Sequence, residues 1–447
     1  MNLPEIRTTL PGPRAKQMIA ADERCTSPSY TRVYPLAVAR GEGMMLEDVD
    51  GNRFLDFTAG IAVCSTGHCH PRLVEAIQKQ AGRLLHMSST DFYNQPQTDL
   101  AAKLAAITPG DEPKRVFFTN SGAEAVEAAM KLARYHTGRR RILAFTGAFH
   151  GRTMGALSLT ASKAVQRRGF GPLVPDVSHV HYPNPYRGGE SAVDNTLRQI
   201  ETLFRSTAPP EEFAAVFVEP IQGEGGYIVP PPDFHRRLRA LTEEHGILYV
   251  ADEVQAGMGR TGKMFALEHF GVTADIVCLA KGIASGMPLG AMVAREDVMD
   301  WPPGSHASTY GGNPVACAAA LETIALLEES LAENAARQGV YLVEQLRQLQ
   351  TRHALIGDVR GMGLMVGMEL VRDRSRKMPA VEEKAALIQA CFRRGLLLLG
   401  CGESTVRFCP PLIVEAGHID TAIGILDDAL AEVEAHRDVV RMETKIS

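Results

Sequence analysis

Short apolar runs stand out against a mixed background: Arg115-Val-Phe-Phe-Thr119, Ala214-Ala-Val-Phe-Val218, Gly246-Ile-Leu-Tyr-Val-Ala251 and Asp275-Ile-Val-Cys-Leu-Ala280. Such runs do not alternate with polar residues, so they predict strands buried on both faces, as in a parallel sheet. Between the first two, Val126, Ala129, Met130 and Ala133 recur on one stripe of a helix over 125–134. Ser121 and Glu124 in front of it have the spacing of a capping box, which starts the helix at Ser121. Strands alternating with helices from about Val63 to Glu328 predict an α/β large domain with a mostly parallel sheet. Before it, 1–62 reads as an arm plus a small-domain segment, with a hairpin turn over Glu47 to Arg53. After it, 329–447 reads as a smaller α+β domain. There Val340, Val343, Leu346 and Leu349 mark a helix, Gly357 to Val371 a strand, and a helix-strand-helix run closes the chain.

Open α/β sheets gather ligands at the carboxyl ends of their strands, so the residues just past each run carry the chemistry. Asp252 and Lys281 end two of the runs, and Glu219 and Glu224 follow a third. A lysine can form a Schiff base with a carbonyl, and an aspartate can hold a proton on a pyridine ring nitrogen. Gly122 lets a backbone come close to a ligand, and the free N–H groups of the helix start favour an anion such as a phosphate. Each feature also has an ordinary reading. A strand-end charge sits in solvent, Ser121 caps a helix, and two acids five residues apart across a Pro and Gly loop have no fixed separation.

Nine stretches in order remove that ambiguity. They are AGIAVCSTGHCHP from Ala59, TNSGAEAVEAAMKLAR from Thr119, FHGRT from Phe149, VEPIQGEGG from Val218, ADEVQAGMGRTG from Ala251, LAKGIASGMPLG from Leu279, STYGGNP from Ser308, GDVRGMGLMVGMEL from Gly357 and VRFCPPL from Val406. Together they resemble the class III (subgroup II) pyridoxal-phosphate aminotransferases of fold type I, from about Tyr34 to about Leu430. The nearest in look are 4-aminobutyrate and acetylornithine/ornithine aminotransferases. The resemblance implies pyridoxal 5'-phosphate, with Lys281 as the Schiff-base lysine and Asp252 at the ring nitrogen. It puts Ser121, Gly122 and Ala123 at the phosphate, with Thr309 reaching the phosphate of a neighbouring subunit. Phe149 and Val254 would clamp the ring and Gln255 would meet its hydroxyl. On the substrate side it implies Arg407 for the α-carboxylate, Arg152 for the distal carboxylate, and Glu224 as a mask for Arg407, with Glu219 nearby. Ile61 stands where ornithine δ-aminotransferases carry a tyrosine, which argues against that activity.

The expected reaction moves an amino group from an ω-amino acid or acetylornithine-like donor to 2-oxoglutarate, in a homodimer or a dimer of dimers. Class III relatives also include amino-acid racemases, which is the second reading. A third is a nicotinamide oxidoreductase built on Gly257-Met-Gly-Arg-Thr-Gly262, but that GxGxxG does not directly follow a strand and opens no evident helix. Cys64, His68, Cys69 and His70 lack the spacing of a zinc site and match a family turn, so no metal is expected. A net charge of −5 without a basic stripe argues against nucleic acid. Eight scattered cysteines suit a reducing cytoplasm. The first twenty residues lack the apolar core of a signal peptide, and the apolar stretch near Ile283 to Ala294 is too short for a membrane span.

Overall fold

The structure, a computed structural model, describes residues 3–446 and the side chains of residues 3–437. The chain divides into two compact units, Pro71–Glu333 and Met1–His70 with Asn334–Ser447. The sequence boundaries at 62/63 and 328/329 thus move to 70/71 and 333/334. Residues 63–70 fold back on their own unit, where Gly43 and His68 form a β-bridge. At the other end the helix Pro314–Leu326 runs on without a break through a π-helical turn, Leu327–Leu331, before Ala332–Arg352 begins.

The larger unit is built on one seven-stranded sheet: β1 Lys114–Thr119, β2 Arg141–Thr146, β3 Val177–His181, β4 Phe213–Val218, β5 Leu248–Asp252, β6 Ile276–Leu279 and β7 Gly290–Arg295. Their order in space is β1-β7-β6-β5-β4-β2-β3. All neighbouring pairs from β6 to β3 are parallel. β7 is antiparallel to both neighbours, with Gly290 opposite Thr119 and Ala291 opposite Leu279. The short link 280–289 cannot make the long crossover that a parallel return needs, so the chain comes back antiparallel. Every residue of β4, β5 and β6 is buried, which is why these runs carry no alternation.

The helix predicted over 125–134 spans Gly122–Thr137, capped by the Ser121 hydroxyl and ended by Gly138 at φ +66°. The expected stripe of Val126, Ala129, Met130 and Ala133 is buried, and so are Ala125, Ala128 and Leu132. Small alanines let this helix pack on the sheet in one core with Phe217, Val250, Ile276, Cys278 and Met292.

In the smaller unit, Val38–Glu42, Met45–Asp48 and Arg53–Asp56 form antiparallel strands, with Glu47 opposite Arg53 as the hairpin reading expects. Leu396–Leu397 adds parallel to Arg53–Asp56. The single strand expected over 357–371 is instead a hairpin of Ile356–Met362 and Met365–Asp373, because Gly363 takes φ +51° and turns the chain. The helix Ala332–Arg352 buries Ala335, Gln338, Gly339, Leu342, Leu346 and Leu349, while Val340 is exposed. The apolar stripe is therefore rotated from the one expected, since Gly339 has to face inward where a Cβ would strike the Gly363 backbone.

Two stability tests follow from buried carboxylates. Asp275 is buried and accepts both guanidinium arms of Arg239, at 2.5 and 3.1 Å, Arg295 at 2.8 Å and the Tyr249 N–H at 2.7 Å. Asp275→Ala leaves Arg239 with Glu243 and Arg295 with Asp297 but takes the acceptor from the buried Tyr249 N–H, so denaturant unfolding should show a loss of about 1–3 kcal/mol. Glu253 is also buried and accepts the Ala266 and Leu267 N–H groups, both at 2.9 Å. Burial pushes its carboxyl up to about 7, against the pull of those N–H groups. A raised carboxyl pKa means the folded state binds more protons than the unfolded one above about pH 4.5, so this contribution is full below that pH and fades as pH rises through about 7. Glu253→Gln does not titrate. Its melting temperature, taken relative to the parent protein, should climb between pH 5 and pH 8; a flat difference would show that Glu253 ionises normally.

Candidate active site

The parallel strands of the larger unit end along one edge of the sheet, and ten of the residues expected from sequence lie on or just after those ends: Ser121, Gly122, Ala123, Phe149, Arg152, Glu219, Asp252, Val254, Gln255 and Lys281. Glu224 follows on the same loop as Glu219. Glycine contacts tie the segments together. A Cβ built on Gly122 would lie 2.8 Å from a Val254 methyl and 3.5 Å from the Ala280 Cβ. The helix start, the 252–255 segment and the turn bearing Lys281 thus meet at one point. A Cβ on Gly151 would lie 2.7 Å from that of Ala123, which brings in the Phe149–Arg152 loop. Lys281 itself has φ +46°. Such backbone costs a side-chain-bearing residue about 1–3 kcal/mol, and strain of this kind gathers at functional sites.

Asp252 is the centre of the electrostatics. It is 5% exposed, and its Oδ2 takes a 2.8 Å hydrogen bond from His150 Nδ1 while Oδ1 accepts the Val254 N–H at 3.0 Å. Burial presses the His150 imidazole down, but the bond to Asp252 and the charges of Asp252 and Glu219 outweigh it and hold His150 above its ordinary range. The Asp252 carboxylate thus has a hydrogen-bond partner on each oxygen in a buried place, where an unpaired one would be costly. Glu219 is buried too. Its oxygens accept the Phe149 N–H at 3.3 Å and the Gly223 N–H at 3.1 Å. Burial pushes its carboxyl up to about 7, with His150 pulling it down and Asp252 pushing it further up. Gln255 takes the Tyr227 hydroxyl at 2.8 Å through Oε1.

At the phosphate end, the Ser121 hydroxyl accepts the Glu124 N–H at 3.3 Å. Glu124 in turn accepts from the N–H of Asn120, not of Ser121, at 2.8 Å. The capping box is thus shifted by one residue, and the N–H groups of the first turn, at Gly122 and Ala123, have no acceptor within the helix. Thr309 is exposed, and next to it Ser308 Oγ accepts from Asn120 Nδ2 at 3.2 Å. Arg152 is exposed and lies over the Phe149 ring, 5.8 Å from its centre.

Two expected substrate residues belong to the other unit. Arg407 lies in the strand Thr405–Phe408, opposite Gly367 on one side and Leu399 on the other, and is 5% exposed. Ile61 is 43% exposed at φ +68°, within a left-handed turn over Ala59–Ala62. In the same unit His68 bonds Asp56 through Nε2 at 2.8 Å, so that histidine already serves a carboxylate. The stretch 257–262 passes through turns into the short 3-10 segment Ala266–His269 and opens no α-helix, unlike a dinucleotide-binding loop.

Sequence reasoning missed His150 and Tyr227. His150 lies inside the FHGRT stretch and was legible as a candidate, because a histidine past one strand end can reach an acid at another. Its pairing with Asp252, 102 residues away, was not. The residues present suit pyridoxal phosphate: first-turn N–H groups beside a glycine whose Cβ would strike Val254, a buried carboxylate bonded to a histidine, and a strand-end lysine.

Residues 26–430 match the family described as Aminotransferase class-III. The chain is 45% identical over 404 residues to the acetylornithine aminotransferase of Methanopyrus kandleri, covering 90% of this chain and 96% of that protein. It is 40% identical over 446 residues to the alanine/serine racemase of Pyrococcus horikoshii, covering 97% and 94%. Among solved structures, the thermostable (S)-enantioselective omega-transaminase of Thermomicrobium roseum superposes with a TM-score of 0.87 at 36% identity, covering 94% of this chain and 99% of that one. The α/β architecture with its mixed sheet is that of fold type I, the cofactor is pyridoxal phosphate, and the chain belongs to the class III aminotransferase family.

Proposed function

We propose that this enzyme transfers an amino group from an ω-amino acid such as 4-aminobutyrate, or from an acetylornithine-like donor, to 2-oxoglutarate. The observation that carries the acceptor is Arg152, an exposed guanidinium stacked over Phe149 at the edge where the site residues gather. A planar guanidinium grips a carboxylate with two parallel hydrogen bonds, as a distal carboxylate requires. By the family resemblance Ile61 stands where ornithine δ-aminotransferases carry a tyrosine, which speaks against ornithine as the donor. Similarity to the acetylornithine enzyme supports that donor class.

When bound, pyridoxal phosphate supplies an electron sink for the carbon that carries the substrate amine. Ser121, Gly122 and Ala123 would hold its phosphate, Phe149 and Val254 its faces, Gln255 its hydroxyl and Lys281 its carbonyl carbon. Asp252, oriented by its bond to His150, would hold the proton on the ring nitrogen. Lys281 Nζ would take the proton from the substrate carbon and carry it to the cofactor carbon that takes over the amino group. Arg407 would bind the α-carboxylate, with Glu224 as its partner when a donor brings none. The same reading makes the protein a cytoplasmic homodimer or dimer of dimers. Exposed Thr309, free to serve a neighbour's phosphate, supports the shared site. No helix among the described residues is long and apolar enough to cross a membrane.

Racemisation is the second reading, supported by the alanine/serine racemase at 40% identity. Single-turnover spectra with glutamate, 4-aminobutyrate and N-acetylornithine, alongside chiral analysis of alanine and serine without any keto acid, decide between them. Transfer predicts amine-dependent loss of the cofactor's visible band, restored by 2-oxoglutarate; D-amino acid formed with no keto acid present moves the assignment to a racemase. Borohydride should fix the cofactor on Lys281, and recovery on another lysine rejects its role. Arg152→Leu should lower kcat/KM for 2-oxoglutarate by about 10- to 100-fold, the value of a charge-assisted contact, with little change for acceptors that lack a distal carboxylate.

A further inference from the structure

We propose that Lys163 is a positioning residue that sets substrate specificity by holding the Glu224 carboxylate off the path of an incoming dicarboxylate. Lys163 Nζ lies 3.6 Å from Glu224 Oε2, with the two side chains 45% and 15% exposed. Both residues sit on segments anchored to the sheet edge. Lys163 follows Ala161, whose N–H bonds the Ala148 carbonyl at 2.8 Å and whose carbonyl accepts the Gly147 N–H at 3.0 Å, so its loop is laced to the one that carries Phe149. Next to it, Ser162 Oγ bonds Gln166 at 2.7 Å. On the other side, Gln222 Nε2 bonds the Thr146 carbonyl at 2.9 Å, and Gly223 N–H bonds Glu219 Oε1 at 3.1 Å. The Lys163 loop and the 219–227 loop thus both lean on the chain just past β2.

Glu224 itself stands between Gly223 and Gly225. Its backbone is fixed, since a Cβ on Gly223 would strike Gln255 and one on Gly225 would strike Gln222, so what a partner can set is where the carboxylate points. Lys163 supplies that partner with an ion that is long, flexible and outside the cofactor site. Nothing in the nine family stretches contains it. An anion at the substrate side repels a substrate carboxylate and competes with it for Arg152. With Lys163 in place the carboxylate is drawn towards the lysine; without it, Glu224 turns to the cations the substrate needs. The inference rests on the reading that a dicarboxylate binds on this edge.

The test is binding of maleate, an unreactive dicarboxylate, to the holoenzyme, followed by the shift of its visible absorbance, together with KM and kcat for 2-oxoglutarate. Lys163→Met should weaken maleate binding and raise KM for 2-oxoglutarate on the order of fivefold, the upper range for a solvent-touched ion pair, with kcat within about twofold. Lys163→Arg should restore most of it. In a Glu224→Gln background the Lys163→Met change should cost less than about twofold, because the carboxylate it positions is gone. An equal loss in both backgrounds overturns the proposal, since Lys163 would then meet the substrate directly, and so does an unchanged Lys163→Met enzyme. A parent holoenzyme that binds neither maleate nor 2-oxoglutarate also overturns it. Failure to turn over 2-oxoglutarate while maleate still binds rejects the acceptor assignment alone and leaves the comparison of variants intact.

Discussion

Strands buried on both faces can carry charge only at their ends, and the rest of this protein's chemistry follows from that. β4, β5 and β6 are apolar and buried along their whole length up to Val218, Ala251 and Leu279, and the ionisable groups come immediately after. Because these strands are parallel, their ends lie on one edge, so residues far apart in sequence meet without any loop having to reach for another. β7 keeps the arrangement closed. Its antiparallel start at Gly290 lies opposite Thr119, where a Cβ would strike the Ser121 backbone, so the phosphate end is pressed against the sheet.

A buried carboxylate on such an edge needs a counter-charge, and His150 supplies it for Asp252. The pairing shows on the histidine: the bond to Asp252 outweighs burial and holds His150 above its ordinary range. Glu219, one strand away, accepts the Phe149 and Gly223 N–H groups, and burial pushes its carboxyl up to about 7. The smaller unit uses a carboxylate differently. Asp56 Oδ1 accepts the Thr58 N–H and hydroxyl at 2.7 Å and the Ala59 N–H at 3.2 Å, and Oδ2 binds His68. It thereby fastens the start of the left-handed turn, where Ala59, Ile61 and Ala62 each forgo about 1–2 kcal/mol of backbone stability and Ile61 is held outward.

What the sequence makes legible is what depends on local pattern. Apolar runs without alternation marked β4 and β5 to within a few residues, and Ser121 with Glu124 marked a helix start. The one-residue shift of the capping box was not visible, since Asn120 and Ser121 both offer an N–H at nearly the same reach. Val340 illustrates a different limit. It fits a helical spacing with Val343 and Leu346, but Leu342 fits as well, and the choice between stripes was made by the close approach of Gly339 to Gly363, a contact between residues whose partnership no spacing encodes. The His150–Asp252 pair, the Arg239–Asp275–Arg295 cluster and the Tyr227–Gln255 bond are likewise tertiary pairings. The site's membership came through the family resemblance; its wiring required coordinates.

Substrate identity lies beyond both, for a reason rooted in the chemistry. Amino transfer and racemisation need the same groups around the cofactor, so Lys281, Asp252 and the helix start, in the roles proposed for them, would be indifferent to which occurs. They part only where the proton goes back: to a different carbon in transfer, to the other face of the same carbon in racemisation. That choice is set by the groups that hold the substrate, since a side chain gripped at its far end cannot offer its other face without letting go. In the proposed function the exposed arginine over Phe149 would be such a grip for an acidic side chain, with nothing to hold in alanine or serine. Relatives of both kinds at 40–45% identity are what this division of labour leads one to expect, because the shared residues dominate the alignment while the deciding ones are few and lie at the rim.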